Sequence, residues 1–289
     1  MSYKIVEWNI NNASRAQKIP GFVGDEILNL HADLIILTEF VYCAESDSFL
    51  KEFFTGHGYD YRVTQHDCAK KRQNDIVVAW DRKKFSCRLF FEMEENTDES
   101  NPKFLADRLQ AKADKKDFVL AGCRITIGSE RSRFAQMKSI LEALSGIPSE
   151  IPVVIAGDFN NFRRGYVSKT WSLKALDTIC ARYQFVKYTP TGSSIYQESS
   201  FSENYEFPEY HFITKDCEIS EYRYDRSFTC NNLGKYLYGP EFRVYNRILR
   251  CNTWQISCGS GIPDHAMLVG TLSLQSKTGK ADLNPNDYG

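Results

Sequence analysis

The sequence predicts a single α/β domain of mixed β-sheets flanked by helices. Three observations carry this. Short apolar runs of strand character alternate with segments of helical spacing along the whole chain. No period of roughly 20–50 residues repeats, which excludes a solenoid. No Gly-, Ser- or Pro-rich linker divides the 289 residues.

The elements follow in order. Residues 3–10 alternate, with Val6, Trp8 and Ile10 on one face of a strand. Phe22 to Leu30 has helical spacing through Val23 and Ile27. Leu34 to Leu37 is a short aliphatic run, the pattern of a buried strand. Ser46 is placed to cap a helix whose Phe49, Leu50, Phe53 and Phe54 form one stripe. Ile76 to Trp80 and Phe118 to Ile127 are expected as strands. Phe134, Met137, Leu141 and Leu144 mark an amphipathic helix entered from a basic turn at Arg131 and Arg133. Val153 to Ala156 is another buried strand, and Leu173, Leu176 and Cys180 mark a third helix. Strands return near 184–188, 210–214, 217–224 and 266–273. The expected domain covers 1–274, with a surface insertion near 225–255 that interleaves Arg with Tyr and Phe. Residues 275–289 have almost no apolar content and read as a frayed tail.

Composition excludes several classes. With 42% apolar and 25% charged residues the chain is neither disordered nor a coiled-coil rod. Lys and Arg number 36 against 37 Asp and Glu, so the formal charge is −1 and no chain-wide basic field grips nucleic acid. A polyanion must meet a local patch or a metal. The nine cysteines include no Cys-x-x-Cys pair, which argues against a zinc knuckle and for buried, reduced thiols. The N-terminus leads straight into a strand pattern, and no apolar run approaches the roughly 18 residues that span a bilayer. A soluble, cytoplasmic protein without a membrane partner is expected; its oligomeric state is open.

The informative pattern is polar residues at the ends of apolar strands, where a rigid sheet hands side chains to a cleft. It occurs at Trp8-Asn9-Ile10-Asn11, at Leu34-Ile-Ile-Leu-Thr38-Glu39-Phe40, at Val153-Val-Ile-Ala-Gly157-Asp158-Phe159-Asn160 and at Pro263-Asp264-His265. Each alone also reads as a turn residue or a solvated strand end. Together they read as a site for a hard cation and a phosphate. Carboxylates such as Glu39 and Asp158 suit Mg²⁺ or Mn²⁺ rather than zinc. Asn bonds a phosphate without adding charge, and His can stabilise a phosphorane.

This set, in this order, resembles the endonuclease/exonuclease/phosphatase superfamily, the DNase I-like fold. Asn74-Asp75-Ile-Val-Val-Ala also looks like the family strand after the Glu motif. The resemblance spans about residues 4–273 and implies a four-layer α/β sandwich of two mixed β-sheets flanked by helices. By resemblance, Glu39 ligates Mg²⁺ (Mn²⁺ also suits), supported by Asn9 and Asp264. Asp158 orients or deprotonates the attacking water, Asn160 holds the scissile phosphate, and His265 meets the phosphate as charge builds. Glu209 stands where members often carry an Asp that orients this His. Arg124 stands where many carry a His; it can neutralise a phosphate but not readily give up a proton.

The superfamily includes nucleases and phosphatases of small molecules, and the motifs do not separate them. Arg163, Arg164, Arg131, Arg133, Asn11 and Asn74 lie near the motifs and are the candidates for substrate contact. A Mg²⁺-dependent nuclease acting on DNA or RNA is expected first. A phosphatase or phosphodiesterase of a nucleotide or inositol phosphate comes second, and an inactive binding fold third.

Overall fold

The computed structural model describes residues 1–10, 19, 21–64, 75–92, 103–125, 129–161, 171–192, 194, 208–225, 263 and 265–274. The expected insertion, save Asp225, and the expected tail lie outside them.

Among the described residues twelve strands form two six-stranded sheets. The first holds β1 (Ser2–Asn9), β2 (Leu34–Phe40), β3 (Tyr59–Val63), β4 (Asp75–Asp81), β11 (Glu218–Asp225) and β12 (Met267–Ser273), in the order β11-β12-β1-β2-β4-β3. The second holds β5 (Phe85–Glu92), β6 (Lys103–Ala111), β7 (Asp117–Arg124), β8 (Val153–Asp158), β9 (Val186–Tyr188) and β10 (Tyr210–Lys215), in the order β5-β6-β7-β8-β10-β9. Each sheet is mixed: β1–β2 and β7–β8 are parallel, and the other pairs are antiparallel. Four helices flank them: α1 (Gly21–Asn29), α2 (Ala44–Phe49), α3 (Glu130–Ser145) and α4 (Leu173–Arg182).

Strand alternation assigns the layers. On the second sheet Leu105, Leu120, Val154, Ala156 and Phe212 join the first sheet in one apolar cluster, which also takes in Phe22, Val23 and Ile27 of α1. Their neighbours Phe104, Ala106, Val119, Ala121 and Ile155 pack instead with Met137, Ile140 and Leu141 of α3 and Leu176 and Ile179 of α4. The order is therefore helix, sheet, sheet, helix. Each fully buried Leu, Ile or Phe contributes roughly 1.5–3 kcal/mol, so burial on both faces of both sheets dominates the fold's stability. Gly122 marks how closely the sheets approach: a Cβ there would lie 2.6 Å from Ile76 and 2.9 Å from Ile36.

Several elements differ from expectation. Strands β3, β5 and β6 carry charged residues among their apolar ones and gave no clean alternation. In β1 the alternation holds only at the start; from Ile5 onward both faces are buried. The helix expected to start at Ser46 starts earlier, with Cys43 as its cap. Ser46 reaches back instead, accepting from the Cys43 amide at 2.8 Å and donating to the Val41 carbonyl at 2.7 Å. A π-helical turn, Leu50–Phe54, then keeps Phe49, Leu50, Phe53 and Phe54 all buried. Five described cysteines are unpaired; Cys123, Cys180 and Cys217 are buried as expected, while Cys43 and Cys87 are half-buried. Among the described residues no helix is long and apolar enough to cross a membrane.

Candidate active site

Inner-facing residues of the second sheet end in a polar row. Lys103 pairs in register with Arg124, Arg124 with Asp158, and Asp158 with Tyr210, so neighbouring strands β6, β7, β8 and β10 each contribute one side chain. All four are buried. Opposite them the first sheet offers Asn9 beside Thr38. Glu7 lies two residues below Asn9 on the same inner face, at 0% exposure. The same end of the molecule carries Glu39, Asn160, Glu209 and His265.

Glu39 enters through a bulge. The β2–β4 register shifts between Leu37 and Phe40, and Glu39 takes φ +53°. Regular alternation after the inward Thr38 would turn Glu39 toward the helix layer; the bulge re-aims it into the cleft. There Arg124 donates to its Oε1 from Nη2 at 2.7 Å and from Nε at 3.1 Å. The Arg124 Nε also lies 3.8 Å from Asp158 Oδ2, so one guanidinium serves both carboxylates.

Asp158 ends β8 and is 3% exposed. Asn9 Nδ2 donates to its Oδ2 at 3.4 Å, and the Asn160 amide donates to its Oδ1 at 2.9 Å. Burial pushes the Asp158 carboxyl up to about 7, with Arg124 and His265 opposing and the charges of Glu209 and Glu39 adding to the rise. Burial likewise holds the Glu7 carboxyl well above its ordinary range, although Thr38 donates to it at 2.9 Å.

Gly157 lies within β8, and what requires glycine there is the approach of β7: a Cβ would sit 2.0 Å from the Cys123 carbonyl oxygen. The turn is made by Asn160, at φ +46°. Three contacts hold it there: its amide bond to Asp158, its Nδ2 donating to the Ile125 carbonyl at 2.6 Å, and Arg133 Nη1 donating to its carbonyl at 2.7 Å.

His265 and Glu209 meet as the resemblance implied. His265 Nε2 lies 3.1 Å from Glu209 Oε2, and the ring stands edge-on to Tyr210 with centroids 5.1 Å apart. Trp8 Nε1 donates to the His265 carbonyl at 2.7 Å, and the Phe159 amide donates to the Glu209 carbonyl at 2.9 Å. His211, beside Glu209 in sequence, is buried: its ring bonds Asn161 Oδ1 at 2.8 Å and Thr189 Oγ1 at 3.0 Å.

Of the expected site residues, the structure brings together Asn9, Glu39, Arg124, Asp158, Asn160, Glu209 and His265. Arg124 was expected to face a phosphate and is turned onto Glu39. Arg133 lies at the rim but is tied to the Asn160 backbone; Arg131 is exposed on α3. Asn11, Asn74, Arg163, Arg164 and Asp264 lie outside the described residues. Lys103, Glu7 and Tyr210 belong to the same polar end and were not anticipated. Their one signal in the sequence is a polar atom inside an otherwise apolar strand.

No family model matches the chain, and no curated protein matches it in sequence. Solved structures do match in three dimensions. An endonuclease/exonuclease/phosphatase family protein from Bacteroides thetaiotaomicron superimposes with a TM-score of 0.64 at 12% identity, over 94% of this chain and 97% of that one. The mannosyl-6-phosphatase of the same organism gives 0.63 at 12% identity, over 94% and 99%. TDP2 of D. rerio, solved with a single-strand DNA product, gives 0.60 at 11% identity, over 94% and 99%. The likeness shows the fold: the chain has the DNase I-like architecture of the endonuclease/exonuclease/phosphatase proteins.

Proposed function

We propose that the protein is a divalent-metal-dependent hydrolase of phosphate esters, cutting nucleic-acid phosphodiesters by in-line attack of water. The observation that carries this is convergence. Asn9, Glu39, Asp158, Asn160, Glu209 and His265 come from residues 9 to 265 of the chain and meet at one end of the two sheets. Relatives in fold include a phosphatase and a protein crystallised with a DNA product, which agrees with a phosphate-ester substrate.

The residues fit a hard divalent ion. Glu39 Oε1 is held by Arg124, while Oε2 has no partner among the described residues and the side chain is 18% exposed. The Asn9 amide reaches the same cleft, 3.4 Å from Asp158 Oδ2. Among the described residues no three His, Cys, Asp or Glu side chains are gathered to hold an ion by themselves. That suits Mg²⁺, which keeps several waters and takes one or two carboxylates. Glu39 and Asn9 would hold it, with Asp264 as a further proposed ligand. The ion would supply Lewis-acid stabilisation of the phosphate charge.

The remaining work falls to the chain. Asp158, kept protonatable near neutrality by burial, accepts the proton of the attacking water at its carboxylate. Asn160, pinned by its left-handed turn, has one Nδ2 hydrogen on the Ile125 carbonyl and offers the second to a phosphate oxygen. Glu209 fixes the His265 ring, so His265 meets the phosphate as charge builds.

A second reading, a small phosphorylated substrate, has one observation in its favour: two arginines expected to grip a polyanion, Arg124 and Arg133, bond to the protein itself. One experiment separates the readings. The purified chain is incubated with single- and double-stranded DNA and RNA, and with a panel of nucleotides and inositol phosphates, with Mg²⁺ or with EDTA. Polymer cleavage that EDTA abolishes supports the nuclease. Phosphate release confined to the small molecules supports the second reading, and no metal-dependent turnover of anything defeats both.

A further inference from the structure

We propose that Arg124 is a built-in counter-cation of the metal centre. It neutralises Glu39 and Asp158 when no ion is bound, and it weakens the binding of the ion that the same carboxylates attract. The inference rests on the metal-dependent reading above and concerns how tightly that site is held for a metal.

The geometry is specific. Arg124 is the last residue of β7, inward-facing, with its side chain 7% exposed. Both Nε and Nη2 bond one oxygen of Glu39, and Nε faces Asp158 at 3.8 Å. The side chain is thus aimed at the two carboxylates, not out toward a substrate. Asp158 is 4% exposed as a side chain, so neither water nor salt can do this work in its place. Two like charges, Asp158 buried and Glu39 half-buried, repel without a counter-ion, and the buried one is costly to desolvate. A single guanidinium removes that cost and fixes the Glu39 carboxylate in the bulge.

The consequence for metal follows from charge. Glu39 and, when ionised, Asp158 attract a divalent ion, and Arg124 returns +1. An arriving ion finds that attraction reduced by the fixed cation already bonded to Glu39. Arg124 lies 2.7 Å from the Glu39 oxygen, so even water-like screening would make its repulsion of an ion held by that carboxylate worth roughly tenfold or more in affinity.

The test uses the full chain without substrate. Mn²⁺ binding is measured by titration calorimetry for the wild type, Arg124→Gln, Arg124→Met and Arg124→Lys, and thermal unfolding is followed with and without Mn²⁺. Arg124→Gln and Arg124→Met are expected to melt below the wild type in EDTA, to recover most of the difference in Mn²⁺, and to bind Mn²⁺ roughly tenfold or more tightly. Arg124→Lys, which keeps the charge, is expected to bind Mn²⁺ like the wild type. A neutral variant that folds only with Mn²⁺ supports the proposal. Equal Mn²⁺ affinity in all four proteins overturns it and leaves the hydrolase reading intact, since Arg124 is then only structural or meets the substrate. Failure of both neutral variants to fold even in Mn²⁺ also overturns it, because an ion then cannot take the place of the guanidinium. Absence of Mn²⁺ binding in every protein, wild type included, overturns both readings.

Discussion

Asp107 offers a quantitative test of the sandwich that leaves the cleft alone. It faces inward from the middle of β6, its side chain wholly buried. Oδ1 accepts from Arg62 Nε of the edge strand β3 at 2.8 Å and from the Cys87 thiol at 3.4 Å, while Oδ2 has no hydrogen-bond partner among the described residues. Burial pushes the carboxyl up from 3.8 to about 6, against the pull of Arg62. The sign follows from linkage: the folded state holds this proton more tightly than the unfolded chain. The associated stability is present below about pH 4 and is lost as pH rises to about 6. The gap from 3.8 to about 6, at about 1.4 kcal/mol per pH unit, is worth about 3 kcal/mol. Asp107→Asn keeps the shape and removes the titration. Urea unfolding of both proteins, from pH 4 to pH 8, is expected to show the wild type losing about 2.4 kcal/mol relative to the variant, nearly all of it before pH 7, the rest of the gap lying below pH 4. A difference that stays constant across that range, or that grows in favour of the wild type with pH, refutes the reasoning.

Four further substitutions act on the site itself. Asp158→Asn and His265→Ala should each lower turnover by roughly 10²–10⁴-fold while the circular dichroism spectrum is unchanged; near-wild-type rates in both contradict the roles given to them. Gly157→Ala places a methyl 2.0 Å from the Cys123 carbonyl and must part β7 from β8 beside Arg124 and Asp158. It should cost about 3 kcal/mol or more in unfolding experiments and depress activity together with stability. Trp8→Phe strips the donor from the buried His265 carbonyl and should cost about 1–3 kcal/mol, with turnover falling because the backbone that carries His265 loosens.

How much was legible in the sequence depends on what each residue's signal was. Glu39, Asp158 and His265 stood out because a charge beside an apolar strand has few places to go, and the structure gathers them at one end. The partner of Glu209 was legible only through resemblance, and the 3.1 Å contact with His265 agrees with it. The position of Arg124 on the strand was legible, but its partner was not: sequence gives the strand end, while the bulge that brings Glu39 across depends on a backbone φ of +53° in a non-glycine residue. Glu7 and Lys103 were illegible for a different reason. Both sit in strands whose two faces are buried, so the alternation that marks a water-facing side chain is absent, and a buried Lys or Glu looks in sequence like a solvated one. Strand β3 was missed because its charged residues, exposed Asp60 and half-buried Arg62, interrupt the apolar pattern; Arg62 is there to meet Asp107 across the sheets.

The most direct test is a crystal structure of the protein soaked with Mn²⁺ and inorganic phosphate. Anomalous density for the ion should fall on Glu39 beside Asn9, with the phosphate between Asn160 and His265 and within hydrogen-bonding reach of Asp158. Manganese and phosphate bound away from these side chains, with Glu39 and Arg124 still paired and the cleft holding neither, would contradict a phosphoesterase centre at this end of the sheets.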